Sequence, residues 1–229
     1  MNKIGTLSEK SVHRYLKDYF ESNKDLQEVK VGNYIADIKR GNEIIEVQTK
    51  NFKSLVNKIT YYDSLGLHTT VVYPIIHKKY INWLNPSDMK VVEKRKSTKI
   101  GCIQDIFKEL YWLIDMLDNK ELSIKIVLID ADEYKLLDGY GQYNKNKATK
   151  VDKVITNIYN MVEINSISDL RIFIPDTLKD NWTSKDFIKA THCNNRWTAS
   201  GLKMLREHNI IEVVGKQGNA IVYKRKFDS

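Results

Sequence analysis

The sequence lacks the features that mark several large protein classes. It has two cysteines in 229 residues, Cys102 and Cys193, far apart and without metal-ligand spacing. That argues against a disulfide scaffold or a zinc site and fits a reducing compartment. No apolar run approaches the ~20 residues needed to span a bilayer. The opening MNKIGTLSEKS has no apolar signal segment, so a cytoplasmic protein without membrane contact is expected. There is no Gly-rich phosphate loop, no Gly-x-Ser-x-Gly and no paired CxxC. Internal repeats and low-complexity tracts are absent as well.

What is present suits a folded, basic protein. Hydrophobic residues make up 42% of the chain, enough for a buried core. Lys and Arg number 37 against 29 Asp and Glu, a net charge of +8, with a pI near 9.2. Such an excess favours an anionic partner, of which nucleic acid is the commonest, although an ordinary basic protein also has it.

Leu7, Val12, Tyr15, Leu16, Tyr19 and Phe20 recur at helical spacing, with Thr6 and Glu9 as a capping box. Residues 27–39 read as two short strands around Gly32-Asn33. A tight turn at Arg40-Gly41-Asn42 leads to a strand over 43–48. Residues 52–65 look helical. Residues 69–75 read as a buried strand that Pro74 helps to end, and 79–84 as another strand. The spacing predicts a helix over 103–118 and a buried strand over 122–131. Two stretches are rich in lysine. Residues 90–99 form a basic cluster, and 139–153 read as an exposed basic loop, either a solvated linker or a DNA contact. DADEYKLLD (130–138) is a solvated strand end or a second metal site. The order implies an α/β domain with a mixed sheet flanked by helices over residues 1–174.

After a boundary near Pro175–Trp182, Thr183 or Ser184 can cap a helix to about Ala190. A second helix runs from about Arg196 to His208, with Ala199, Leu202 and Leu205 on one face. A hairpin follows, with Gly-Lys-Gln-Gly-Asn at its turn. The string TASGLKMLREHNIIEVVGKQGNAIVY resembles the winged helix domains of bacterial regulators, so residues 175–229 are expected to form a small winged helix-turn-helix domain. Asn209 stands where such domains carry a helix-ending glycine, and it tolerates the same left-handed backbone. The resemblance implies that Asn194, Asn195, Arg196, Ser200 and Lys203 face double-stranded DNA, with Lys216 and Gln217 on the wing beside phosphates. Winged helices also serve protein contacts. Trp197 can stack on DNA or belong to the small core.

The N-terminal half carries an acidic constellation, IAD(37)IKRGNEIIE(46)VQ(48)TK(50). A short turn can set Asp37 opposite Glu46, and alternation puts Glu46, Gln48 and Lys50 on one face. Two carboxylates so close repel unless a cation sits between them. Magnesium takes few carboxylates and keeps several waters, so the pair suits it, with manganese as a substitute. Here the chain resembles the PD-(D/E)XK nuclease superfamily, whose motif is an aspartate, a spacer and Glu-x-Lys on the neighbouring strand. The resemblance implies a restriction-endonuclease-like core. It makes Asp37 and Glu46 metal ligands together with the Val47 carbonyl, and adds Glu9 from the first helix. Glu9 can equally be the capping-box partner of Thr6. Gln48 stands at the lysine position, and Lys50 on the same face can restore the charge. The activity implied is magnesium-dependent DNA endonuclease cleavage, by a homodimer or with a partner protein. The alternative is a non-catalytic DNA-binding regulator with a degenerate nuclease-like domain.

Overall fold

The computed structural model describes residues 11–118, 121–140 and 148–226. Thr6, Leu7 and Glu9 lie outside the described residues, as do Lys145 and Lys147. Helix α1 spans Ser11–Phe20. A meander follows of β1 (Gln27–Val31), β2 (Tyr34–Arg40) and β3 (Glu43–Val47), with turns at Gly32 and Gly41, both at positive φ. A 3-10 turn over Phe52–Leu55 leads into α2 (Val56–Ser64). The next elements are β4 (His68–Leu84), β5 (Val91–Lys96), the single turn α3 (Phe107–Leu110), β6 (Leu122–Leu136) and β7 (Thr149–Ile164).

These strands form one mixed sheet in the order β1-β2-β3-β4-β6-β7, with β5 paired to the far end of β4. The β1-β2-β3 meander is antiparallel, while β3 to β4 and β4 to β6 are parallel. Alternation sorts the side chains to two covered faces. Val72 and Val127 join Ile38, Ile45 and Val47 under Val12 and Leu16 of α1. Val71, Tyr73 and Ile75 face the other way, against Phe52, Leu55, Ile59 and the apolar residues of 106–117. Both faces of the sheet are thus packed, which explains the nearly unbroken apolar runs of β4 and β6.

Several elements differ from the sequence expectation. Tyr15 and Tyr19 lie on the solvent side of α1, 42% and 53% exposed, so its buried stripe is narrower than the pattern of apolar letters. Pro74 does not end its strand, and β4 runs on through 79–84. Val72 O accepts from Gln48 N, so that bonding edge of β4 points to β3 at residues 72 and 74. At Pro74 β3 has already stopped, and the missing N–H removes no ladder bond. The 103–118 helix is instead a series of tight turns. Trp112 N donates to Glu109 O, Leu113 N to Leu110 O and Met116 N to Leu113 O. Only Phe107–Leu110 is α-helical, although Ile106, Phe107, Leu110, Leu113, Ile114 and Leu117 are all buried.

The basic cluster at 90–99 contains β5, exposed along its whole length. The 139–153 loop gives way at Thr149 to β7. Both are edge strands, where lysines commonly stand and hide the alternation.

The C-terminal part holds β8 (Trp182–Thr183), α4 (Ser184–Thr191), α5 (Asn195–Glu207), β9 (Ile211–Gln217) and β10 (Ala220–Arg225), with a small sheet in the order β8-β10-β9. Thr183 caps α4 in a capping box with Asp186, and Asn194 caps α5. Asn209 ends that segment at φ 61. The buried face of α5 is Thr198, Leu202 and Leu205 with Gly201 and Met204, while Ala199 is exposed. Ala199 is offset from Leu202 and Leu205 by the helical twist and so turns outward. This part shares a core with the large sheet. Phe107 meets Phe173 edge to face and stacks on Phe187, and Leu202 and Leu205 join the same cluster. Cys102 and Cys193, remote in sequence, are both free thiols, and Cys193 Sγ lies 3.2 Å from Thr198 Oγ1 of α5. Among the described residues no helix is long and apolar enough to cross a membrane.

Candidate active site at the fork of two strands

The β2–β3 ladder pairs Arg40 with Glu43, Lys39 with Ile44 and Ile38 with Ile45, and then stops. One step further the register would set Asp37 against Glu46. There the Val47 N–H, which points toward β2, donates to the Asp37 side chain (Oδ2, 2.8 Å) in place of a backbone carbonyl. In an extended strand N–H and C=O of one residue share an edge, so the Val47 carbonyl faces the same fork.

Five side chains from four elements converge here. His13 Nε2 on α1 lies 3.2 Å from Asp37 Oδ2. Lys58 of α2 donates to Glu46 Oε2 (2.7 Å) and to the Ile35 carbonyl of β2 (2.6 Å). The Tyr62 hydroxyl, one turn on, donates to Glu46 Oε1 (3.4 Å). Glu46 is 3% exposed, whereas the Asp37 side chain keeps 20%.

The two acids are driven apart in acidity. Burial pushes Glu46 up to about 7, and the charge of Asp37 adds to this, while Lys58 and Tyr62 pull it back. Burial also works against Asp37. The hydrogen bonds from His13 and Val47 and the charges of His13 and Lys58 outweigh it and hold that carboxyl below its ordinary value. Tyr62 stays a donor, its phenol pushed up by burial and by Glu46. A buried carboxylate beside a second one stores repulsion that a cation at the fork relieves.

The structure therefore brings Asp37, Glu46 and the Val47 backbone together. It does not bring Gln48 or Lys50 to them. The Gln48 amide donates to Asn51 O and Ser54 Oγ, both at 3.2 Å. Lys50 is exposed and lines a cavity beyond the end of β3. Glu9 lies outside the described residues. Sequence reasoning did not bring His13, Lys58 or Tyr62 into the site. The one signal in the sequence was the i, i+4 pair Lys58 and Tyr62 on the helix after the acidic strand. On α5, Asn195, Arg196, Ser200 and Lys203 are exposed, as are Lys216 and Gln217 on β9. Asn194 is also exposed, but its side chain accepts from Arg196 N as the cap.

Residues 10–165 match the family model described as "Domain of unknown function (DUF8091)". The chain belongs to this family. The DUF8091 match runs from the edge of α1 to the end of β7 and so contains His13, Asp37, Glu46, Lys58 and Tyr62. The chain is also similar to an uncharacterised protein of Treponema pallidum (strain Nichols), 29% identical over 228 residues, covering 97% of this chain and 88% of the relative. That likeness extends beyond the DUF8091 match through α4, α5 and the terminal hairpin. No solved structure gives a significant match.

Proposed function

We propose that this chain is a magnesium-dependent DNA endonuclease. The observation that carries the reading is the meeting of Asp37 and Glu46 where β2 and β3 part, with a lysine ammonium on the glutamate. The order helix, antiparallel meander, helix and then a strand parallel to the third is that of the PD-(D/E)XK core. Lys58 offers the positive charge that the motif's lysine supplies, although it comes from α2 and not from β3.

The donor set fits the ion. Among the described residues no third His, Cys, Asp or Glu joins the pair as a metal-binding group. Magnesium is served by one or two carboxylates plus waters and phosphate oxygens, so two acids and the Val47 carbonyl suffice. Bound there, the metal would polarise the phosphate and favour attack by water. Asp37, fixed by His13 and Val47, stays ionised and provides the rigid ligand. Glu46 would share the ion with Asp37; water would add to phosphorus and give up a proton to solvent while the 3′-oxygen would leave and take one up, giving the 5′-phosphate that the resemblance implies. Lys58 stands at the fork to offset charge gathering on the phosphate.

The β8–α4–α5–β9–β10 unit supports a winged helix that positions duplex DNA. The exposed side of α5 offers Asn195, Arg196, Ser200 and Lys203, with Lys216 and Gln217 on the hairpin. The test is incubation of plasmid DNA with magnesium or manganese. Cleavage that survives Asp37→Ala combined with Glu46→Ala would show the site to be misassigned. DNA binding with no metal binding and no cleavage would favour the regulator instead.

A further inference from the structure

A cavity of about 720 Å³ opens beyond the end of β3, between the sheet, the edge strand β7 and α5. Its lining includes Val12 and Thr49, chain neighbours of His13 and Gln48, and Trp197 on α5. Six lysines line it, Lys50, Lys79, Lys99, Lys108, Lys150 and Lys153, against three acids. Six less three leaves an excess of three positive charges.

The acids are already engaged. Asp152 accepts the Ser11 hydroxyl, and Asp105 lies 3.9 Å from Lys99. Glu133, 2% exposed, gathers Lys79 at 3.2 Å, Lys135 at 3.6 Å, Lys150 at 3.8 Å and Lys153 at 4.0 Å. One carboxylate cannot neutralise four ammonium groups. It holds three of the lining lysines, Lys79, Lys150 and Lys153, close together on a concave surface, where like charges focus an attractive field for an anion. The lining also holds an aromatic, Trp197, with the Arg196 guanidinium 4.8 Å from its ring centroid.

We propose that this cavity binds the sugar–phosphate backbone of an unpaired DNA strand. A cavity of this size suits a small-molecule-sized segment and not a duplex. Six lysines against three acids leave more positive charge than a single phosphate group needs, so a strand with several phosphates suits the cavity better. The track also joins the exposed side of α5 to the end of β3, and an aromatic face with an arginine on it is a stacking platform for bases of any identity. The proposal rests on the reading of the chain as a DNA enzyme, and locates where one strand runs once the duplex is opened.

The experiment is fluorescence anisotropy of a labelled oligothymidylate with the full chain, without added metal and over a range of salt. Two pair variants, Lys99→Ala with Lys108→Ala and Lys150→Ala with Lys153→Ala, are compared, and circular dichroism checks their folding. Each pair is expected to weaken binding at least about tenfold near 0.1 M salt. Each should lower the slope of log affinity against log salt by ~0.7 for every phosphate that is no longer neutralised. Unchanged affinity and slope in both folded variants would overturn the proposal. So would a mononucleotide that competes as well as the oligomer, because the site would then serve a free nucleotide. The Asp37→Ala, Glu46→Ala protein separates this idea from the nuclease reading. Strand binding should survive there, whatever becomes of cleavage.

Discussion

Lys58 Nζ lies 2.7 Å from Glu46 Oε2 and 2.6 Å from the Ile35 carbonyl, so one ammonium from α2 ties together the strands that carry the two acids. Lys58→Met keeps most of the apolar stem and removes the charge. The buried carboxylate then loses its cation and is driven higher than about 7. Above pH 7 the variant should be less stable by about 1–3 kcal/mol, the penalty for a buried polar group left unpaired. At pH 5.5, where Glu46 is protonated, the loss should shrink. Cleavage should fall by about 100-fold or more if Lys58 offsets charge on the phosphate. Denaturant titrations at two pH values and a plasmid assay check both parts.

Glu46 also sets a pH dependence for the wild-type chain. Its folded value, about 7, stands above the ordinary 4.5, so between these two values the folded state holds a proton that the unfolded state has lost. Stability therefore falls as pH rises through that window and levels off above about 7. At ~1.4 kcal/mol per pH unit the full loss is about 3 kcal/mol. Asp37 acts in the opposite sense at lower pH, because its depressed value makes stability fall as pH drops through the acid range. Glu46→Gln should flatten the upper window and leave the lower one. Chemical denaturation from pH 4 to 8 measures this, and an unaltered profile in Glu46→Gln would show that another group is responsible.

On the proposed reading, magnesium competes with that same proton. A divalent ion needs Glu46 ionised, so added magnesium should raise the melting temperature clearly at pH 8 and little at pH 5.5. At one hundred times the dissociation constant the gain is about 2.7 kcal/mol. Asp37→Asn and Glu46→Gln should each abolish it. Equal stabilisation at both pH values would point to weak binding elsewhere on the surface.

The hairpin carrying the acids was legible because strict alternation and the Gly41-Asn42 turn fix which residues face each other. Asp37 and Glu46 followed from that register alone. The convergence of Lys58 and Tyr62 was not legible, since it depends on how α2 docks on the sheet and no local period reports that. The same limit hid the charged edge strands β5 and β7, whose lysines mask the alternation. Residues 103–117 failed for a different reason. Apolar residues three apart satisfy both an α-helix and a chain of tight turns, and packing against Phe173 and the sheet decided between them. At the C-terminus Thr183 and Asn209 were readable because caps and left-handed turns are set by single residues, whereas Asn194, expected to face DNA, caps α5.

The link between the two parts of the chain turns on Gly201. A Cβ at this position of α5 would lie 2.0 Å from Phe107 Cδ2, far inside contact distance. Phe107 is 1% exposed and packed against Phe173 and Phe187, so its ring has no room to yield. In an open helix Gly→Ala gains up to about 1 kcal/mol. Here overpacking, typically ~1–3 kcal/mol, opposes that gain and decides the sign. Gly201→Ala should therefore lower the melting temperature. Adding Phe107→Leu should restore part of it, because a smaller side chain makes space for the methyl group. The pair should be clearly non-additive in a double-mutant cycle. Simple additivity of the two losses would mean that α5 does not sit on Phe107 in solution.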